Sequence, residues 1–388
     1  MRQPISGINP RILVWAREKS GQTIEDVANA LKKDPSVIRS WESGKAAPTY
    51  VQLETLAYRI YKRPLALFFF PQPPPEPDPE QSFRTLPDSE IQELIADTRH
   101  KIREARAMQI SISELAGANP GPKNLLRDIS ASGSSQASAI ASAVRDYLGI
   151  DLKTQKETWR SVDEALKGWR SQIEEAGIFV FKDSFKQKDV FGFSLNGGEY
   201  PIILVNNSTT PTRQIFTLFH ELAHLLVHTG GVTKENDDYI SRLTGDAKRI
   251  EIFCNQFAAN FLVPNDDFRR MLRQAGTNDA AVADLARSYK VSREVILRRF
   301  LDLSLVTRSR YETMAARWRR QALEHRRQES GGNYYLTHAS YLSDRYARLA
   351  FAKFYRGSIS IEQLANYLNV SVRSVPGLEQ AVLQKGVA

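Results

Sequence analysis

Two histidines four residues apart frame a glutamate in the run His220-Glu221-Leu222-Ala223-His224. On a helix, residues i and i+4 project from one face a turn apart, so both imidazoles can meet a single metal ion. Glu221 lies about 100° further around the axis, able to reach water at that ion without taking a coordination position. A divalent ion makes such a water acidic enough to lose a proton near neutral pH. A carboxylate beside it accepts that proton as a peptide carbonyl is attacked. The apolar residues around the motif, Ile215, Phe219, Leu222 and Leu226 among them, would embed this helix in a core. The chemistry these residues suggest is metal-assisted peptide hydrolysis with Glu221 as the catalytic base.

A hydrolytic site of this kind needs a third protein ligand and one open position. Glu251, on the next long helical run, is the candidate. Periodicity alone leaves it either a ligand or a surface carboxylate of an amphipathic helix. His228 extends the series to i+8, yet eight residues advance a helix by about 800° and leave it some 80° off the face of His220. With Gly230-Gly231 just beyond, His228 is read as part of the helix C-terminal cap. Cys254, one turn after Glu251, is read as a buried core thiol. Nitrogen and carboxylate donors favour zinc, and manganese is also compatible with them. Tyr239, Arg213 and His228 are candidates for stabilising the oxyanion.

Several elements must position these groups. Gly177 to Phe181 reads as a short buried strand. Val190 to Leu195 and Tyr200 to Val205 are joined through Asn196-Gly197-Gly198, residues that accept the positive φ of a hairpin turn. Helices are expected over about Ala143 to Ile150, Thr158 to Ala176, Thr212 to His228 and Asp246 to Leu262, the last stopped by Pro264. The result is a small antiparallel sheet followed by two long helices, an α+β arrangement.

The chain has 388 residues, 42% hydrophobic and 25% charged, with one cysteine and a net charge of +9. That length allows two or three domains. No apolar run approaches the roughly 20 residues that span a bilayer. One cysteine excludes an internal disulfide framework and suits a reducing compartment, and the N-terminus lacks the apolar stretch of a secretory signal. A cytoplasmic protein with no membrane partner is expected. The positive balance favours an anionic partner, nucleic acid being the usual one, although a solvated basic surface accounts for it equally. Its densest stretch surrounds Trp318, with Arg308, Arg310, Arg317, Arg319, Arg320, Arg326 and Arg327.

The motif residues resemble the ImmA/IrrE family of cytoplasmic zinc-dependent metallopeptidases over roughly Gly177 to Pro264, and more loosely to Leu305. The similarity runs through Pro201 to Asn206 and Arg213 to Leu226. Its most telling part is Glu251 followed by Cys254-Asn255, Phe257-Ala258, Leu262 and Pro264; the family more often has alanine at Cys254. The resemblance implies a zincin-like domain in which Glu251 is the third metal ligand beside His220 and His224. It also implies limited cleavage of a protein substrate, a helix-turn-helix repressor, under DNA damage or other stress.

Residues from about Asn9 to Pro64 resemble a phage-repressor-type (XRE-like) helix-turn-helix domain. Helices are expected at Arg11 to Lys19, Ile24 to Leu31, Ser36 to Glu42 and Tyr50 to Ile60, with Thr23 capping the second. Val27, Ala28, Leu31, Ile38 and Trp41 should form the core, and Arg17 and Glu42 a structural salt bridge. In such a domain the third helix reads base edges while basic groups hold phosphates. Ser36, Arg39 and Ser40 are the base-edge candidates, and Lys33 and Lys45 the phosphate contacts. Three positions depart from the family: Ile24 stands where a DNA-contacting glutamine is frequent, Lys32 replaces a turn glycine, and Pro35 removes a side chain that could bond a base. Double-stranded DNA is the expected partner, with docking to a protein partner or homodimerisation as the other use of such a head.

The expected architecture is multidomain. An all-α head occupies 1–70, a proline-rich linker 71–88, a helical connector 89–130, the α+β zincin-like metallopeptidase domain 131–305, and an α-helical C-terminal region 306–388. Near the end, Asp284 to Ile296 and Ile359 to Ser371 both look like helix-turn-helix hairpins, read as helical packing. A zinc endopeptidase fused to a DNA-binding module is the leading reading. The alternative is a transcriptional regulator or antitoxin-type protein whose metal domain senses or binds a partner with little proteolysis.

Overall fold

The computed structural model describes residues 3–76, 83, 88–117, 123–132, 134–196, 199–234, 240, 242–325 and 334–387. These form two compact units, one of residues up to 106 with 185–188, the other of 107–184 and 189 onward.

In the first unit, α1 (Pro10–Lys19) starts at Asn9, whose side chain accepts the Arg11 N–H at 3.0 Å. Helix α2 (Ile24–Leu31) opens on a reciprocal capping box between Thr23 and Asp26, and α3 (Pro35–Glu42) is capped by Asp34. Between them Lys32 takes the left-handed conformation (φ +54°) that glycine adopts more easily. Helix α4 (Tyr50–Glu54) runs on as a wider-turn π-helix over Thr55–Tyr61. Ile12, Leu13, Ala16, Val27, Ala28, Ile38, Trp41, Leu53 and Phe68 make the core, with Leu31 half-buried at its margin. The start of the proline-rich segment is tied to this unit. Glu76 meets the buried Arg63 at 2.8 Å, and Arg63 in turn lies 4.1 Å over the Trp15 ring. A guanidinium this enclosed needs a carboxylate beside it.

The second unit is built on four strands, β1 (Phe179–Asp183), β2 (Val190–Leu195), β3 (Ile202–Asn206) and β4 (Val232–Lys234), in the order β1-β3-β2-β4. The hairpin pairs β2 with β3 antiparallel, and its turn residues Gly197 and Gly198 lie outside the described residues. The sheet is mixed rather than antiparallel throughout, because β1 runs parallel to β3. The chain leaves β1, reverses into β2 one strand-width away, and β3 folds back into the gap. Strand β4, which has no counterpart in the sequence reading, closes the other side against β2. Both faces of β3 and of the first three residues of β1 are buried, in keeping with the apolar runs Ile202–Val205 and Phe179–Phe181.

Helix α5 (Ala96–Ala116) has residues in both units, and α6 (Ala137–Leu148) and α7 (Val162–Glu175) precede the sheet. Helix α8 (Pro211–Leu226) carries the histidine motif and α9 (Gly245–Leu262) carries Glu251; the two pack along each other. From Gln214 to Leu226 every residue of α8 except Phe216 is buried, so it is a central helix rather than an amphipathic surface one. Its Phe219 stacks on Phe261 of α9 with centroids 4.1 Å apart, and Trp169 of α7 meets both rings edge-on at 5.2 Å.

Further helices α10 (Asn265–Ala275), α11 (Asp279–Tyr289), α12 (Arg293–Asp302), α13 (Arg308–His325), α14 (Tyr334–Tyr341), α15 (Asp344–Tyr355), α16 (Ile361–Tyr367) and α17 (Val375–Val387) complete the unit. Helices α11 and α12 pack together across a turn at Lys290, whereas α16 is followed by one 3-10 turn before α17. Of the arginines around Trp318, Arg308 pairs with Glu312 and Arg317 with Asp279, as on a solvated face. Arg326 and Arg327 lie outside the described residues, as do the side chains of Arg319 and Arg320.

Helix α7 ends beside α15, where Glu174 accepts the Arg345 N–H at 2.8 Å. Burial pushes the Glu174 carboxyl up from 4.5 to about 7, against the pull of Arg170. An acid whose folded pKa is raised favours the folded state below its ordinary value and loses that contribution as pH climbs through the raised one. Between pH 5 and 8 the native protein should therefore lose about 3 kcal/mol of stability relative to Glu174→Gln. Denaturant unfolding across that range checks this, and parallel curves for the two proteins would contradict it.

Candidate metal centre

Helix α8 starts at Thr210, which accepts the Arg213 N–H, with Pro211 in the first turn. It ends at Leu226, ahead of His228 and the glycine pair. His228 is exposed, sits beyond the last helical turn with φ +56°, and donates its N–H to the Leu225 carbonyl. It closes the helix through its backbone, and its side chain is not part of the buried group.

The motif places His220 and His224 on one face. Their Nε2 atoms lie 3.1 Å apart, and each is 3.5 Å from a different carboxylate oxygen of Glu251. All three side chains are buried, and their ligand atoms lie within 4.8 Å of one another. The other ring nitrogens are held from outside: His220 Nδ1 is 3.1 Å from Asn255 Oδ1 and His224 Nδ1 is 3.3 Å from Thr229 Oγ1. An Nδ1–H donated to these oxygens leaves both Nε2 lone pairs facing inward, the usual outer-sphere arrangement of metal-ligating histidine. Burial lowers the pKa of His224, favouring the neutral imidazole that binds a metal. Glu221 lies alongside with no solvent exposure. Two buried carboxylates beside two imidazoles suit a divalent cation.

Cys254 is fully buried next to this group, and burial raises its thiol pKa well above the ordinary value, as expected for a core thiol. Arg213 lines the neighbouring cavity, paired with Glu294 at 3.3 Å and lying over the Phe191 ring. Tyr239 lies outside the described residues.

Four residues to which the sequence reading gave no role at the site contribute to it. Gly231 is required by close approach, since a Cβ there would fall 2.1 Å from His224 Cδ2. Gly231 is thus needed for packing against the His224 ring, not for ending the helix. Asn255 anchors His220, and Ser194 and Thr233 each donate a hydroxyl to Glu221 at 2.6 Å. Of these, Ser194 left a trace in the sequence, as the one hydroxyl in the apolar strand Val190–Leu195. Replacing Asn255 by alanine should weaken divalent-metal binding about ten- to a hundredfold, the usual cost of losing an outer-sphere partner. Competition with a chromophoric chelator measures this, and unchanged affinity would show that Asn255 does not orient the ring.

A cavity of about 540 Å³ adjoins the group, lined by Phe216, Thr233, Asn255, Ile252, Val295 and Tyr311 among others. Thr233 bonds Glu221 and Asn255 bonds His220, so the cavity reaches the outer partner of each of these two side chains.

Residues 173–301 match the family of IrrE N-terminal-like domains, Peptidase M78. This span contains α8, α9 and all four strands. The radiation response metalloprotease IrrE of Deinococcus deserti is 37% identical over 100 residues, covering 24% of this chain and 34% of that protein. Its namesake from Deinococcus radiodurans is 34% identical over 100 residues, covering 24% and 29%. The chain thus spans about a third of the length of these curated relatives. The IrrE-like region is the part that holds the buried His-His-Glu group.

In the first unit, Arg17 and Glu42 form a two-pronged pair at 2.7 and 3.1 Å. Ser36, Lys33 and Lys45 are exposed. Arg39 is also exposed but paired with Glu25 at 2.9 Å, and the half-buried Ser40 donates its hydroxyl back to the Val37 carbonyl. Ser36 is engaged as well, its side chain hydrogen-bonded to the Asp34 carboxylate. No described helix is long and apolar enough to cross a membrane.

Proposed function

We propose that this chain is a zinc-dependent endopeptidase that makes a limited cut in a regulatory protein of the helix-turn-helix repressor type. The observation that carries the reading is the buried His220–His224–Glu251 group with Glu221 beside it and a cavity alongside. Zinc bound there would supply Lewis acidity toward a peptide carbonyl and a water. His220, His224 and Glu251 would hold it with one position left open. Glu221 accepts a proton from the attacking water and returns it to the leaving amide nitrogen, so the base ends each cycle unchanged. Strand β4 is the end strand of the sheet next to Glu221, and an extended substrate can add to such an edge through backbone hydrogen bonds while the cavity receives a side chain. The names of the relatives, radiation response metalloproteases, support a role in a stress response.

The N-terminal unit is assigned to double-stranded DNA, delivering the peptidase to a DNA-bound repressor. Ser36, Arg39 and Ser40 would face base edges, and Lys33 and Lys45 phosphates; Arg39 must exchange Glu25 for the base, a small cost for an exposed pair. Incubating the zinc-loaded chain with repressors encoded beside it should give discrete fragments, suppressed by a chelator. Intact repressors with zinc bound throughout would favour the alternative, a DNA-binding regulator whose metal domain serves as a sensor. For the head, Arg39→Ala should weaken binding to the chain's own upstream DNA by about 1–3 kcal/mol. Equal affinity of the two proteins in a titration would remove Arg39 from the interface.

A further inference from the structure

The carboxylate of Glu221 is gripped from two strands. Ser194 Oγ of β2 donates to Oε2 and Thr233 Oγ1 of β4 donates to Oε1, each at 2.6 Å. Ser194 and Glu221 have no solvent exposure and Thr233 is nearly buried. The direction of the Ser194 bond is fixed by its surroundings, because Gly231 N–H donates to Ser194 Oγ at 3.1 Å and leaves the hydroxyl hydrogen for Glu221. Ser194 N–H also donates to the Gly231 carbonyl at 2.9 Å, so this serine is stitched into the β2–β4 ladder. The separation of the two hydroxyls is thereby set by strand pairing. A glutamate side chain turns about three bonds, and α8 alone fixes none of the outer ones. Hydroxyl bonds of this length to a carboxylate are of the strong, charge-assisted kind.

We propose that Ser194 and Thr233 are positioning residues for the base: they set the plane and direction of the Glu221 carboxylate, while the metal group itself is held independently by Asn255 and Thr229. The assignment rests on the peptidase reading only in giving Glu221 the part of proton acceptor. It also places that acceptor under the control of β4, the strand that borders the cavity.

The test needs no knowledge of the natural substrate. Acetohydroxamic acid binds zinc through its two oxygens and gives its hydroxyl proton to a neighbouring carboxylate, so its affinity reads where that carboxylate lies. Zinc-loaded full-length wild type, Glu221→Gln, Ser194→Ala, Thr233→Val and Thr233→Ser are compared by calorimetry with acetohydroxamic acid, and by chelator competition for zinc. Ser194→Ala and Thr233→Val should weaken acetohydroxamate about tenfold or more, as Glu221→Gln does, consistent with losing a hydrogen bond to a charged group. Zinc affinity should stay within about threefold, because no ligand or outer partner of a ligand is touched. Thr233→Ser restores the hydroxyl and should behave as wild type, a rescue that a packing role for the threonine methyl would not give.

The proposal is overturned if acetohydroxamate affinity is unchanged in Ser194→Ala and Thr233→Val, if zinc affinity falls in the same proportion, or if Thr233→Ser is as weak as Thr233→Val. If Thr233→Val fails to fold, Ser194→Ala and Thr233→Ser decide the matter by the same criteria. A wild type that binds zinc and acetohydroxamate in this pattern yet cuts no repressor removes the peptidase reading and leaves the positioning role in place.

Discussion

Replacing Glu221 by glutamine should leave zinc bound and lower the rate of substrate cleavage by about 10²- to 10⁴-fold, the range supplied by a positioned general base. Glutamine has the same shape, and its amide oxygen and nitrogen can still meet the hydroxyls of Ser194 and Thr233 that now hold the carboxylate. Neither folding nor the His220–His224–Glu251 group should suffer, and the variant's unfolding midpoint and zinc stoichiometry check that directly. What the amide lacks is an oxygen that can take up a proton. Single-turnover cleavage of the repressor separates this step from binding and product release. Equal rates for the two proteins, both fully loaded, would show that Glu221 is not the base.

The second large effect is expected at Glu251. It is completely buried and reaches both histidines, one carboxylate oxygen 3.5 Å from each Nε2. Glutamine removes the negative charge from a site with no solvent to replace it, so zinc affinity should fall by at least about a hundredfold. The loss has a thermodynamic signature independent of catalysis. Zinc at a thousand times its dissociation constant stabilises a folded protein by about 4 kcal/mol, and the wild type should show a corresponding rise in unfolding temperature. Glu251→Gln should show little rise at the same zinc concentration. An equal zinc-induced rise in both proteins would mean that the ion is held elsewhere.

How much of this was legible in the sequence follows from which forces set each feature. The i, i+4 spacing of His220 and His224 is a local property of a helix, and so was readable, as were α8, α9 and the capping residue Thr23. The hairpin of β2 and β3 also had a local signal in its glycines. Strand β4 did not, since a three-residue strand after a helix has no periodicity to detect and exists because β2 offers it an edge. The same long-range pairing makes β1 parallel to β3. Glu251 could be suspected from chemistry but selected only through a resemblance, because its approach to the histidines depends on how two helices pack. Ser194, Thr233 and Gly231 were hidden for a related reason: a serine, a threonine and a glycine have many uses, and only the fold brings them against Glu221 and His224. The glycine pair shows the risk of a purely local rule, as the left-handed position after α8 belongs to His228.

The most direct test of the central claim, one metal ion held by two histidines and a glutamate, is zinc-edge X-ray absorption on the loaded full-length chain. The expected spectrum shows one zinc per chain with only nitrogen and oxygen neighbours at about 2.0–2.2 Å and the outer-shell scattering of two imidazoles. A sulfur neighbour at about 2.3 Å would bring Cys254 into the coordination sphere. That result, or imidazole scattering that persists unchanged in a His220→Ala, His224→Ala double variant, would contradict the account.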